Sequence, residues 1–494
     1  MSSLLSAALL GTSRTAPAFD SLPPEIRDAV GTLGDDPART LLAAAALERA
    51  YRRGGAVAVT ADVPPPAPED PRPTLPQSSA AHLLSLLAAK ATLLDDWFVL
   101  ALERDFRAPD HLVAELLSHA HKSEQHRESI LHIVGERGRW LAARNPEWKK
   151  LVRHKNSDVD LWRHGTPQER VQWLRDTRRI DPAAALSELE QSWDSERGEH
   201  KVAFVTALSI GSSPADASLL ERALDDKRKD VRREAAVLSS RIPSSPLAER
   251  MAQRVLSWVR VERKLLRSKL VIQPPEEIDA SARRDGIEDR PNPQTDYRVE
   301  YVRQAISCAP LALWDSVIGD SRKVLATAVD PDWEPVLHDA WTSAALAQRN
   351  SEWALAILHT RGLSTDRRLL RLVPSQELAT LLRSGNGDAN VLNPDRAAVY
   401  EALPGPWPED ITRAVLGQWE RAGARRADGG SKAGEFSRHR YAASLRLAEN
   451  RFPYTAVSLL DKAAERARDP DWQQAFVRTA HAITYRRTLL EELK

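Results

Sequence analysis

The sequence predicts an all-α protein, an irregular α-solenoid of HEAT-like helix pairs. Three observations predict it. Leu and Ala dominate the apolar residues, and Arg and Glu are abundant among the charged ones; all four lose little rotamer freedom in a helix. Apolar residues recur at three- and four-residue intervals along most of the chain, the spacing that lines one face of a helix. Residues 213–243 read as two short helices joined by a charged turn, a unit that buries its faces only by stacking on neighbours.

Residues 1–62 form an N-terminal helical segment in which Leu41, Leu42, Ala45, Ala46 and Arg49 are spaced for one face. Ala16-Pro17-Ala18 imitates a signal-peptide cleavage site. However, no Lys or Arg precedes the apolar run Ser3 to Leu10, so the expectation is a retained N-terminus and a cytoplasmic protein. Residues 63–79 are a Pro-rich connector, extended because proline lacks an amide donor and clashes with a preceding helical turn.

Residues 80–272 carry the HEAT-like solenoid, opening with Leu83, Leu87, Leu94, Trp97, Phe98 and Ala101 on a buried side. Ser213-Pro214 begins a helix with an N-cap and an N1 proline. Asp216, Leu220, Ala223 and Leu224 follow at helical spacing. After the turn Asp225-Asp226-Lys227, Asp230 is placed to cap a helix that carries Val231, Ala235, Leu238 and Ile242 and stops at Pro243. Arg232 is expected to bond acidic groups at the turns. A degenerate pair is expected at 169–210, with weaker ones at 331–360 and 441–490.

Residues 273–296 hold four prolines, seven acidic and three basic residues and read as an acidic surface linker. Residues 297–494 form a C-terminal helical repeat-like region, in which Arg421 to Gly434 is expected to be mobile. An acid precedes tryptophan at Glu147-Trp148, Asp332-Trp333, Glu352-Trp353 and Asp471-Trp472. That pattern suits a helix start, with the indole packing back over the preceding helix.

Composition narrows the function classes. Over 494 residues, 70 basic and 69 acidic side chains leave a net charge of +1. No global field therefore draws the chain to nucleic acid or membrane. Cys308 stands alone, which excludes an internal disulfide and a multi-cysteine zinc site. No phosphate-binding Gly-rich loop, nucleophile elbow or His-Glu-x-x-His helix is present, and Gly429-Gly430-Ser431-Lys432 lacks the strand a P-loop needs. His111, His119, His121, His126, His132, His154 and His164 gather, but no close pair has the i, i+3 or i, i+4 spacing of helical metal ligands. No catalytic residue, cofactor or metal site is predicted.

The strongest charge feature is a basic face on a helix expected at 251–270. Arg260, Arg263, Lys264 and Arg267 stand at i, i+3, i+4 and i+7 there, and 14 basic against 7 acidic residues lie between Glu221 and Leu270. Such a stripe either tracks a phosphate backbone or receives the acidic linker 273–296. The second, or a stripe that water simply solvates, is the favoured reading, because the near-zero net charge supplies no wider field and seven acids lie in 273–296. The lack of interleaved aromatic residues also weakens single-strand binding.

With these residues in view, the chain resembles a bacterial family of helical proteins without an assigned activity. The matching pieces are Leu9-Leu10-Gly11-Thr12-Ser13-Arg14, Gly135-Glu136-Arg137-Gly138-Arg139-Trp140-Leu141 and Asn145-Pro146-Glu147-Trp148. Further on come Trp162-Arg163-His164-Gly165, Leu224-Asp225-Asp226 with Val231-Arg232, and Asp285-Gly286-Ile287. The resemblance runs from about residue 4 to 290 and implies a gene neighbourhood of SWIM zinc-finger, MoxR-type AAA ATPase and von Willebrand A-domain proteins. The expected function is a non-catalytic scaffold that binds partner proteins, within an assembly of that kind. The alternatives are a nucleic-acid-binding solenoid that uses the basic face, and an enzyme whose site is assembled from scattered residues.

Overall fold

A computed structural model describes residues 3–55, 64–89, 93–152, 159–264, 267–288, 296–363, 366–384, 389–428 and 433–494. It is 69% helical, and the sheet among the described residues is a single two-stranded hairpin. The chain divides into two compact units, Met1–Ala67 and Pro68–Lys494.

The first unit gathers helices Ser3–Leu10, Pro24–Gly31 and Pro37–Gly54 around Leu4, Ala7, Leu22, Ile26, Val30, Leu41 and Ala44. Asp36 caps the third helix by accepting the Ala38 amide at 3.0 Å. The buried stripe of that helix is Thr40, Leu41 and Ala44, whereas Leu42, Ala45, Ala46 and Arg49 are exposed. The expected face is therefore rotated, because an alanine-rich helix offers several stripes that satisfy the same spacing.

In the second unit the end of the Pro-rich segment is built into the fold. Thr74 bridges Arg107, and the amides of Leu75 and Arg107 each donate across the bridge at 2.8 Å. Just before it, Asp70 enters a break in the helix Arg127–Arg144. Gly135 leaves helical geometry there, at φ 61° and ψ −155°. The break frees backbone groups that must be satisfied. The Glu136 amide donates to Asp70 Oδ2 at 3.2 Å, Arg72 donates to His132 O at 3.1 Å, and Ala108 N to Ile133 O at 2.7 Å. A Cβ on residue 135 would sit 2.1 Å from Asp70 Oδ2, so only glycine fits.

Helices from Gln77 to Arg144 enclose a core of Leu83, Leu87, Leu94, Trp97, Phe98, Ala101, Leu116 and Ile133, among others. Leu489 and Leu493 belong to the same core, so the unit's first and last helices share it. A second, larger core runs from Trp162 to Ile483 and is not interrupted at 273–296.

The unit at 213–243 forms as its periodicity dictates. The Ser213 amide donates to Asp216 Oδ2 at 2.9 Å, and helices Ala217–Ala223 and Lys229–Ser239 pack together. Val231, Ala235, Leu238 and Ile242 are buried. Two details differ from expectation. Arg232 donates to the carbonyl oxygens of Asp226 and Lys227 at 2.8 and 3.0 Å and hydrogen-bonds no turn carboxylate among the described residues. Asp226 turns the chain into the second helix by accepting the Arg228 amide, and Asp230, one residue inside the helix start and not at the cap, accepts the Val231 amide at 3.0 Å.

Helices also stand where the weaker pairs were expected: Pro167–Ile180, Pro182–Ser192 and Gly198–Ala207; Glu334–Ala347 and Ser351–Arg361; and Ala442–Arg451, Ala456–Arg466 and Pro470–Glu491. The acid–tryptophan pairs serve packing. Trp353 and Trp472 are buried and Trp148 and Trp333 half-buried, and the Trp472 indole donates to Phe436 O at 2.9 Å.

The segment 273–296 is not a surface linker in its described part. Ile278, Ala282 and Ile287 join the main core. Asp285 is fully buried, and Arg250 and Arg254 meet its carboxylate at 2.6 and 2.7 Å. Gly286 adopts φ 90°, and a Cβ there would lie 2.7 Å from that of Ala236. The mobile loop expected at 421–434 is likewise corrected. Residues 421–427 complete the helix Glu409–Ala427, and Arg426 pairs with Asp469 and Asp471 at 3.0 Å each. Residues 429–432 lie outside the described residues.

Candidate interaction hairpin

The helix Pro246–Trp258 starts on Ser245, whose hydroxyl accepts the Ala248 amide, and buries Leu247, Ala248, Met251, Ala252 and Val255. It stops at Trp258. The sequence then turns to apolar–polar alternation, Val259-Arg260-Val261-Glu262, and Leu270-Val271-Ile272 follows shortly after. β-Branched residues that alternate with charged ones fit a half-buried strand. They form β1 (Val259–Lys264) and β2 (Arg267–Ile272), antiparallel, with Val261 opposite Leu270 and Lys264 opposite Arg267. Residues 265–266 lie outside the described residues.

The expected basic helix face at Arg260, Arg263, Lys264 and Arg267 is therefore overturned. Spacing of charges alone carries no information about burial, so it fits a helix and a hairpin equally well. On a strand, side chains three residues apart project to opposite sides, and Arg260 and Arg263 do not share a face. The signal available in the sequence was the period of two in Val259 to Glu262.

One face of the hairpin holds it to the protein. Val259 and Leu270 are buried, and Val261, Ile272 and Trp258 pack half-buried on the main core. The Gln273 amide closes the base on Trp258 O at 2.7 Å, and the Leu270 amide donates outward to Ala328 O at 2.8 Å. Arg260, Glu262, Arg263 and Lys269 are exposed.

The electrostatics of the hairpin differ from those of its surroundings. Arg250 and Arg284 both pair with Glu221 and Asp285, and Arg284 also reaches Asp225 at 2.6 Å. That guanidinium holds the Asp225 carboxyl below its ordinary range. Arg298 pairs with Glu276 and Asp296, and Arg303 with Glu300. By contrast, Arg260, Arg263 and Lys269 meet no carboxylate among the described residues. The Arg263 guanidinium donates to the carbonyl of Val317 at 3.4 Å. The described acids of 273–296 do not dock on these cations. Asp285 serves Arg250, Arg254 and Arg284, and Glu288 faces Lys229 and Arg233 at 3.8 and 3.7 Å.

Beside the Ala328 contact lies a cleft of about 230 Å³, lined by residues that include Thr327, Glu334, His338 and Trp341. Burial, with Arg361 nearby, holds the His338 imidazole below its ordinary range. The His338 Nδ1 and Trp341 Nε1 atoms are buried and have no hydrogen-bond partner among the described residues. Of the clustered histidines, His126 bonds Asp95 at 2.7 Å and His132 bonds Asp105 at 2.8 Å. His154 lies outside the described residues. Among the described residues no three His, Cys, Asp or Glu side chains gather as a metal site, and no helix is long and apolar enough to cross a membrane.

A family model described as a family of unknown function (DUF5691) matches residues 3–493. No curated protein and no solved structure matches the chain.

Proposed function

We propose that this chain, which belongs to the family of unknown function DUF5691, is a non-catalytic helical scaffold that holds an acidic partner protein against its basic hairpin. In this reading the helix pairs stack as an irregular HEAT-like solenoid in the cytoplasm, and the hairpin presents the contact. One observation carries it: the contrast between the hairpin's exposed, uncompensated cations and the paired arginines around them. Five basic residues and one acidic residue lie between Val259 and Ile272. Clustered cations of this kind steer an oppositely charged partner and select against others. The neighbourhood implied by the sequence resemblance makes an AAA ATPase and a von Willebrand A-domain protein the first partners to test.

The test places a photo-crosslinking residue at position 260 and, as a control, at Ile180, which is 66% exposed. The expected outcome is capture of one acidic protein from position 260 only, lost when Arg263→Glu is added. The same captures from both positions would reject the scaffold reading. Capture of nucleic acid at position 260 would replace it with the phosphate-binding alternative.

A further inference from the structure

The hairpin has one closed edge and one open one. The Leu270 amide points away from β1 and donates to Ala328 O at 2.8 Å, so β2 is already paired on its far side through the Lys269–Ala328 bridge. In an antiparallel ladder, residues directly opposite one another either exchange both backbone bonds or turn both sets away. Val261 stands opposite Leu270, so it turns its N–H and C=O away from β2. The Gln273–Trp258 bond at the base agrees with this alternation. Two residues further on, Arg263 points the same way. The Val259 amide is already used, donating to Val255 O at the end of the preceding helix.

No backbone group among the described residues bonds Val261 or Arg263 on this edge. An unpaired strand edge is a template for another chain, and extended peptides commonly bind by adding a strand to one.

Building on the scaffold reading above, the geometry points to β1 as a strand-addition site for an extended, acidic segment of the partner. Backbone bonds to Val261 and Arg263 set the register, and charge sets the sequence. A residue opposite Arg260 or Arg263 is favoured when acidic, because cross-strand neighbours of opposite charge attract. The residue opposite Val261 is apolar, and the one opposite Glu262 carries no negative charge. In an antiparallel partner strand the segment therefore reads, from its N-terminus, acidic, neutral polar, apolar, acidic. The open ladder is short, so both backbone pairing and charge are needed for binding.

The probe is a fluorescent, end-blocked peptide built on Glu-Thr-Val-Glu, followed by anisotropy with the full-length protein. Two further versions carry N-methyl groups on alternate amides, one in each phase. Only one phase faces β1. Strand addition therefore weakens binding about tenfold or more in one phase and leaves the other near the unmethylated value, given about 1 kcal/mol per backbone bond lost. Val261→Pro, which removes the outward amide, is expected to weaken the parent peptide likewise, with its fold checked by circular dichroism. If that variant does not fold, the two methylation phases still decide.

An equal effect of both phases, or no binding by the parent peptide, overturns strand addition. If position 260 still captures an acidic protein in that case, the scaffold reading survives and only this mode of contact falls. Duplex DNA that binds more tightly than the peptide at the same salt also overturns it.

Discussion

Arg178 and Asp216 face one another 2.7 and 2.9 Å apart in a two-pronged ion pair, with side-chain exposures of 1% and 0%. The same guanidinium also donates to the carbonyls of Leu208, Ile210 and Gly211 at 2.8–3.1 Å. It thus ties the helix Pro167–Ile180 to the chain that enters the 213–243 pair. Replacing one partner leaves an uncompensated buried charge, so Asp216→Asn or Arg178→Met should lower stability by about 3–5 kcal/mol. Urea denaturation of each variant checks this. A loss under about 1 kcal/mol would mean that the pair is dispensable, at the level of an exposed ion pair.

The two residues also mark the limit of what the sequence discloses. Val231, Ala235, Leu238 and Ile242 were legible because burial imposes a period on apolar residues, and the period is local. Asp216 was legible as an acid near a helix start, but its partner stands 38 residues away, and nothing local announces such a pairing. The same holds for Arg250 with Asp285 and for Asp70 with the Glu136 amide. For that reason the segments at 64–76 and 273–296 looked like spacers, although each supplies a carboxylate to the fold. At the candidate site the cations were visible and their geometry was not. Charge spacing was read as helical where Val259 and Val261 already alternated.

Gly135 explains part of the Gly135-Glu136-Arg137-Gly138 motif. Its φ of 61° lies in the left-handed region, and the space a Cβ would occupy is taken by Asp70 Oδ2 and Arg72 Nη2. Gly135→Ala would either expel Asp70 from the break or close the helix and strand its carboxylate. The expected cost is about 2 kcal/mol or more, combining backbone strain with lost hydrogen bonds. A thermal melt with the Gly31→Ala variant as control separates this from a generic glycine effect, because position 31 has open space around it. Equal shifts for the two variants would show that the break does not depend on Asp70.

The same clasp gives a pH dependence of known sign. Arg72, chiefly through its hydrogen bonds, together with the Glu136 amide, holds the Asp70 carboxyl well below the usual carboxylate range. A group whose folded pKa is depressed stabilises the fold above its unfolded pKa of about 3.9 and loses that contribution as pH falls below it. Between about pH 6 and about pH 3, wild type should therefore lose more stability than Asp70→Asn, which has no proton to take up there. Urea midpoints across that range test it. Parallel acid limbs for the two proteins would remove Asp70 from the acid response.

The hairpin itself bounds any interaction with nucleic acid. Each phosphate neutralised by a cation releases condensed counterions, giving a log–log salt slope of about −0.9 per contact. A single phosphate backbone meets one side of the hairpin at a time. Because Arg260 and Arg263 project to opposite sides of β1, they cannot both grip it. Wild-type protein titrated with fluorescent duplex DNA should show generic affinity, around 10⁻⁴ M or weaker at physiological salt, and a shallow salt slope, because a net charge of +1 supplies no wider field. Reversing Arg260 alone should remove at most about one contact's worth of that slope. The acidic peptide, which draws on backbone bonds as well as charge, should retain measurable binding at salt concentrations that release the DNA. Sub-micromolar DNA binding with a slope of about −4 would mean that the hairpin's cations act together on a phosphate backbone. That result would place nucleic acid ahead of an acidic protein as the partner.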